Sequence, residues 1–103
     1  MTLTKPSTPT SAQRMVTICN QRGLHARASV KFARMAAEFQ TDVIVTCGDQ
    51  SVPGDSILDL LTLGASYGKE ITIACEGPEA GAALEMLCDL INRGFDEDTD
   101  ETS

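Results

Sequence analysis

The chain has no tryptophan, one tyrosine and three phenylalanines, so its core has to be built mainly from aliphatic side chains. It carries a single histidine, and none of its four cysteines (Cys19, Cys47, Cys75 and Cys88) forms a C-x-x-C pair. Those two shortages exclude a zinc finger, which needs clustered thiolates and imidazoles. Free thiols in a reducing compartment are expected instead. No apolar run approaches the roughly 20 residues that cross a bilayer, and residues 1–13 lack the apolar segment of a signal peptide. The expectation is a cytoplasmic protein with no membrane association. Acidic residues are missing altogether from residues 1–37.

What is present fits one small domain. A chain of 103 residues with 42% hydrophobic content builds a modest core and presents surfaces or shallow clefts more readily than deep pockets. The net charge of −7 argues against nonspecific nucleic-acid binding. The charge is also segregated. Residues 1–37 hold Lys5, Arg14, Arg22, Arg27, Lys31 and Arg34, whereas all 15 carboxylates lie beyond them with only Lys69 and Arg93 for company. A cationic patch on an acidic body follows.

Residues 1–13 are rich in Thr, Ser and Pro and read as a disordered extension, and the acidic stretch 95–103 reads as a solvated tail. The domain between them, residues 14–94, alternates in type. Strands are expected at Met15–Cys19, Asp42–Thr46, Gln50–Val52 and Glu70–Cys75, from β-branched content and alternation. Gly48-Asp49 supplies the turn of a hairpin. Helices are expected at Ala26–Phe39, at Ser56–Leu63 and from Pro78 to Gly94. In the first, Ala28, Phe32, Met35, Ala36 and Phe39 recur at three- and four-residue spacing and are expected to face the core. In the second, Ser56 is the cap, Asp59 the acid of a capping box and Gly64 the terminator. The third opens on Pro78 in its first turn. The order β-α-β-β-α-β-α suits an α+β sandwich with helices on one face of the sheet.

The chemistry concentrates in Gly23-Leu24-His25-Ala26-Arg27-Ala28-Ser29. His25 stands where the helical pattern begins. The first amides of a helix lack intrahelical acceptors and carry partial positive charge, so an anion attached to a side chain there meets N–H donors. A neutral imidazole offers a lone pair for attack on phosphorus. Arg27 adds a forked cation two residues on. Arg27, Lys31 and Arg34 form one basic stripe, suited to an acidic partner surface.

GLHARAS resembles the active-site signature of the histidine-containing phosphocarrier protein, HPr, of the bacterial phosphotransferase system. Asp55–Gly64 is similar to the family segment that holds a regulatory serine. Gly68–Ile73 and Glu76–Ala80 resemble its last strand and the start of its last helix, so the similarity spans about residues 14–96. The resemblance implies an open-faced β-sandwich of four antiparallel strands with three helices. It implies a phosphocarrier, not an enzyme in the strict sense and without a cofactor of its own. Such a carrier takes a phosphoryl group from phosphoenolpyruvate-charged Enzyme I onto His25 Nδ1 and passes it to an Enzyme IIA protein. Arg27 would be the active-site arginine. Ser56 would be a target of an HPr kinase/phosphorylase. Ala28, Lys31, Arg34, Ile57, Leu58 and Leu61 would dock partners, with the chain acting as a monomer.

Two departures count. Ala28 stands where the family has proline, and Asp59 puts a carboxylate on the second helix. The alanine and the acidic ending are similar to HPr-like proteins of alphaproteobacteria, many of which serve a nitrogen-related regulatory branch. Two other readings fit the bulk features: a regulatory small-molecule-binding module of ferredoxin-like order, and a redox or metal protein using the cysteines. Neither needs a histidine at a helix start.

Overall fold

The computed structural model describes residues 11–96. Four strands, β1 (Ser11–Thr17), β2 (Asp42–Cys47), β3 (Gln50–Pro53) and β4 (Glu70–Glu76), form one sheet in the order β1-β4-β2-β3. Every pairing is antiparallel. Alternation dictates the faces. Val43 and Val45 of β2 and Ile71, Ile73 and Cys75 of β4 point to a dry side, while Asp42, Ile44 and Glu76 point away from it. Three helices, α1 (Ala26–Ala37), α2 (Ile57–Leu63) and α3 (Ala80–Asn92), cover the dry side. α3 lies on β1 and β4, α2 lies on β3, and α1 packs against both other helices. Phe32 of α1 and Leu84, Leu87 and Ile91 of α3 meet the strand residues Val16, Val45 and Ile73 in a single core. Each such side chain contributes about 1.5–3 kcal/mol by leaving water. This is the α+β sandwich that the order of elements predicts.

The ends differ from the expectation. β1 begins at Ser11, so Ser11–Gln13 are not disordered: they pair with Glu76, Cys75 and Ala74. The reason is tertiary. β4 is an inner strand of seven residues, and its outer edge of N–H and C=O groups is matched along its whole length only if β1 starts there. Beyond Thr17, Ile18 stays tied by Ile18 N–H to Lys69 O (2.9 Å) and Gly68 N–H to Ile18 O (2.8 Å). At the other end Phe95, assigned to the tail, is fully buried. Gly94, Phe95 and Asp96 all have left-handed backbone (φ 66°, 57° and 63°) and close a single 3-10 turn. The packed unit therefore exceeds residues 14–94 on both sides. The rest of the N-terminal extension, 1–10, and of the acidic tail, 97–103, lies outside the described residues.

Two helix boundaries also move. α1 stops at Ala37, where Glu38 N–H turns to Met35 O (3.1 Å) and Phe39 N–H to Ala36 O (3.4 Å). α3 starts at Ala80 and not at Pro78. Glu79 is held elsewhere: its carboxylate accepts from Gln40 N–H at 2.6 Å and its own N–H donates to Gln40 O at 3.3 Å. Those bonds keep Pro78-Glu79 as a turn.

Candidate functional site

The site begins with a turn that admits no side chain. Gly23 has φ +65°, and a Cβ placed on it would stand 2.6 Å from Ala65 O and 2.8 Å from Ser66 Cα. Glycine is required both by the left-handed backbone and by the approach of the segment that follows α2. Around it the backbone is stapled. Asn20 Nδ2 donates to Gly23 O (2.9 Å), Gly23 N–H donates to Asn20 O (3.1 Å) and Leu24 N–H donates to Ala65 O (2.9 Å). Ser29 Oγ reaches back from inside α1 to Leu24 O (3.3 Å). Leu24, Asn20 and Ser29 are all buried, so His25 rides on a loop fixed from beneath.

His25 is the N-cap residue of α1, with extended backbone (φ −79°, ψ −174°). Its carbonyl accepts the first helical bond, from Ser29 N–H at 2.8 Å. Its imidazole makes no capping bond, and the first turn holds no acidic residue. Ser, Thr, Asn or Asp at this position would satisfy a first-turn amide. Histidine leaves that role open and stands half-exposed at the helix mouth, where the amide dipoles favour an anion. Arg27, in the first turn, is exposed. Histidine and guanidinium therefore stand two residues apart at one helix end, as the sequence pattern predicts.

The basic stripe is real but uneven. Arg27 and Arg34 are exposed, whereas Lys31 is half-buried and donates from Nζ to Phe95 O at 2.7 Å. Lys31 thus clamps the chain end to α1 as well as carrying charge. Ala28 corrects the expectation of a docking residue. It is fully buried in the core, because the period that turns Phe32 inward turns Ala28 inward with it.

Ser56 is the N-cap of α2, its Oγ accepting from Asp59 N–H at 3.3 Å. The Ser56 N–H is directed to Pro53 O at 3.5 Å. Gly64 closes the helix in left-handed conformation. Leu60 and Leu63 are buried, leaving Ile57, Leu58 and Leu61 on the outer face, with Leu58 75% exposed. The bond from Leu24 N–H to Ala65 O brings the segment just after α2 against the His25 loop. Charge and apolar surface therefore adjoin, which suits a protein partner.

The sequence reading missed Asn20 and Ser29. A polar residue on the apolar face of α1, four positions after His25, was the available signal for Ser29. Asn20 showed only as part of a polar Asn-Gln-Arg-Gly turn.

The cysteines do not form a second site. Burial pushes the Cys75 and Cys88 thiols up from their ordinary value, the neighbouring Cys88 adding to the effect at Cys75. Neutral buried thiols are inert. Cys19 donates its S–H to Ile91 O at 3.1 Å. Among the described residues no cluster of His, Cys, Asp or Glu could hold a metal ion, and no helix is long and apolar enough to cross a membrane.

Comparison with known proteins agrees with this geometry. Residues 12–93 match the family described as the PTS HPr component phosphorylation site. The chain is 43% identical over 88 residues to the phosphocarrier protein NPr of Shewanella violacea, covering 85% of this chain and 97% of that one. It is 43% identical over 82 residues to the phosphocarrier protein HPr of Neisseria meningitidis serogroup A, covering 80% and 92%. Among solved structures, HPr from Thermoanaerobacter tengcongensis superimposes with a TM-score of 0.79 at 31% identity, over 82% of this chain and 94% of that one.

Proposed function

The chain belongs to the HPr family of phosphocarrier proteins of the phosphotransferase system, and on that premise we propose that His25 is its phosphoryl acceptor. As a phosphocarrier it is a stoichiometric intermediate and not an enzyme. The observation that carries the proposal is the imidazole at the mouth of α1, half-exposed and making no capping bond. In our reading Enzyme I, charged by phosphoenolpyruvate, presents its phosphoryl group to Nδ1 of His25. The imidazole lone pair forms the P–N bond as the bond from phosphorus to Enzyme I breaks, and that electron pair returns to Enzyme I. The phosphoryl oxygens then meet the first-turn amides and the Arg27 guanidinium, by charge-assisted hydrogen bonds. An Enzyme IIA protein takes the group in the reverse sense. Arg34, Lys31, Ile57, Leu58 and Leu61 form the docking face.

Incubation with Enzyme I and labelled phosphoenolpyruvate tests this. Wild type gains an acid-labile label; His25→Ala gains none and keeps its far-UV circular dichroism. Labelling of the variant sinks the assignment. Arg27→Ala is expected to slow transfer about tenfold to about a hundredfold, for one charge-assisted contact of about 1.5–3 kcal/mol; unchanged kinetics rule that role out.

Ser56 supports a regulatory reading. A phosphate there adds about −1.5 to −2 charge beside the docking face, which weakens Enzyme I docking by electrostatics without unfolding α2. Failure of an HPr kinase/phosphorylase and labelled ATP to modify wild type ends it. We further place the chain in the nitrogen-related branch, on Ala28 and the acidic ending, and treat it as a cytoplasmic monomer. Transfer to a sugar-specific Enzyme IIA in preference to a nitrogen-related one speaks against the branch, and a dimer in sedimentation speaks against the monomer.

A further inference from the structure

Two tight turns lie side by side next to His25. In the first, Asn20–Gly23, Gly23 N–H donates to Asn20 O at 3.1 Å and Arg22 is exposed. The second, Ser66–Lys69, is closed by Lys69 N–H to Ser66 O at 3.0 Å, with Gly68 at φ +86° as in a type II turn. Tyr67 and Lys69 are exposed on it, Tyr67 by 64%. The turns touch where a Cβ on Gly23 would stand 2.8 Å from Ser66 Cα. Arg22 and Tyr67 are therefore each one residue from that contact, and His25 is two. The second turn is pinned from behind by Gly68 N–H to Ile18 O (2.8 Å) and Ile18 N–H to Lys69 O (2.9 Å). A lone exposed tyrosine is ordinary on a protein surface, but Tyr67 differs in three respects. Its backbone is already fixed, so a partner has only the two torsions of the ring to order. It follows α2 by way of Gly64 and extends the apolar surface of Ile57, Leu58 and Leu61 toward the His25 loop. It also has two cations nearby, Lys69 in its own turn and Arg22 in the other, and among the described residues neither forms an ion pair.

We propose that Tyr67, flanked by Arg22 and Lys69, is a specificity-determining anchor for Enzyme I: the ring enters an apolar recess of the partner and the two cations meet carboxylates on the rim of that recess. Aromatic and arginine side chains that become desolvated carry a large share of the energy of protein interfaces, and rim charges act mainly on encounter and on salt dependence. Any protein that reaches His25 comes up against both turns. Charge selects among such proteins. A phosphate carries about −1.5 to −2 charge, so a phosphoryl group on His25 offsets Arg22 and Lys69. The two cations therefore attract an acidic partner most strongly before the carrier is charged, and the protein that meets the uncharged form is the phosphoryl donor. The assignment to Enzyme I rests on the carrier reading given above.

Binding and transfer test it separately. The ¹⁵N-labelled full chain is titrated with Enzyme I in the absence of phosphoenolpyruvate. The amides of residues 21–23 and 66–69 are expected to shift or broaden together with those of 57–61. Changes confined to α1 and α2, or none at all, overturn the anchor. In labelling assays Tyr67→Ala is expected to raise the KM for the carrier about tenfold to about thirtyfold, the range of an interface hot spot, with kcat unchanged, and Tyr67→Phe, which keeps the ring, should restore the wild-type KM. A wild-type KM in Tyr67→Ala, or a loss in kcat alone, overturns the anchor; a Tyr67→Phe as poor as Tyr67→Ala overturns the apolar recess. Arg22→Gln/Lys69→Gln is expected to raise KM about two- to tenfold at low salt, for two exposed ion pairs, and to match wild type at high salt. An unchanged KM at low salt, or a rise that persists at high salt, overturns the charged rim. The titration uses no variant, so it decides the anchor even if Tyr67→Ala fails to fold. If Enzyme I and phosphoenolpyruvate leave wild type unlabelled, the carrier reading fails, while the titration still decides whether the two turns are bound.

Discussion

Gly23→Ala probes the frame beneath His25, and Gly48→Ala supplies its control. Both glycines have left-handed backbone, φ +65° and +62°. At Gly48 an added Cβ meets nothing within 4 Å; at Gly23 it meets backbone atoms of Ala65 and Ser66 at 2.6 and 2.8 Å. The left-handed strain on alanine, about 1–2 kcal/mol, is common to both variants. Gly23→Ala adds overpacking against main chain, which cannot rotate away as a side chain can, for about 1–3 kcal/mol more. The expected totals are about 1–2 kcal/mol for Gly48→Ala and about 2–5 kcal/mol for Gly23→Ala. In a domain of this size each kcal/mol lowers Tm by about 4–8 °C, so the two melting curves should separate by at least about 4 °C. Thermal unfolding followed by circular dichroism measures the difference. Equal losses in the two variants would mean that the Gly23 turn yields to the Ala65–Ser66 segment at no cost, and the fixed loop inferred for His25 would be refuted.

Other substitutions test separate contacts. Ser56→Ala removes the cap of α2 and is expected to cost about 1 kcal/mol in urea unfolding; no loss would show that the Ser56–Asp59 bond contributes nothing. Lys31→Met keeps the apolar stem but loses the bond to Phe95 O, for about 1–2 kcal/mol, visible as a lower urea midpoint. An unchanged midpoint would show that the chain end is held by Phe95 packing alone. Burial raises the Cys75 and Cys88 thiols, so the folded chain keeps protons that the unfolded chain releases. Their contribution is complete below the ordinary thiol value of 9.0 and is lost as pH rises past it. Between about pH 8 and about pH 10, wild type should therefore lose stability more steeply than Cys75→Ala/Cys88→Ala; parallel profiles would contradict the shifts.

Much of this architecture is legible from local rules. Ser56 and Gly64 announce the two ends of α2 because capping chemistry acts within one turn of chain. β2 is legible because Val43 and Val45 alternate with residues that face out. His25 is legible because its helix start and Arg27 are contiguous in sequence. Three of the misreadings involve distant segments. Ser11–Gln13 become strand only through Glu76, Cys75 and Ala74, and nothing in their own composition says so. Glu79 is left as the N-cap of α3 with its carboxylate and N–H bonded to Gln40, 39 residues away. Phe95 adopts a conformation that aromatic residues avoid, and its burial against the core offsets the strain. Ala28 carries two incompatible expectations, the core face from its spacing with Phe32 and the docking face from family resemblance, and its burial decides for the first.

The strand order carries a consequence for how the molecule comes into being. β4 is the last strand to be synthesised, yet it is the one that joins β1 to the β2–β3 hairpin. A nascent chain halted before residue 70 holds its opening strand and its hairpin as unconnected pieces, each with bare edges of the kind that invite aggregation. Every pairing of β1 spans more than fifty positions, so β1 joins the sheet only after β4 has been made, and the β2–β3 hairpin is the one part of the sheet that local contacts can assemble. Fragments cut anywhere ahead of β4 should be degraded or recruited by chaperones instead of persisting as partial carriers.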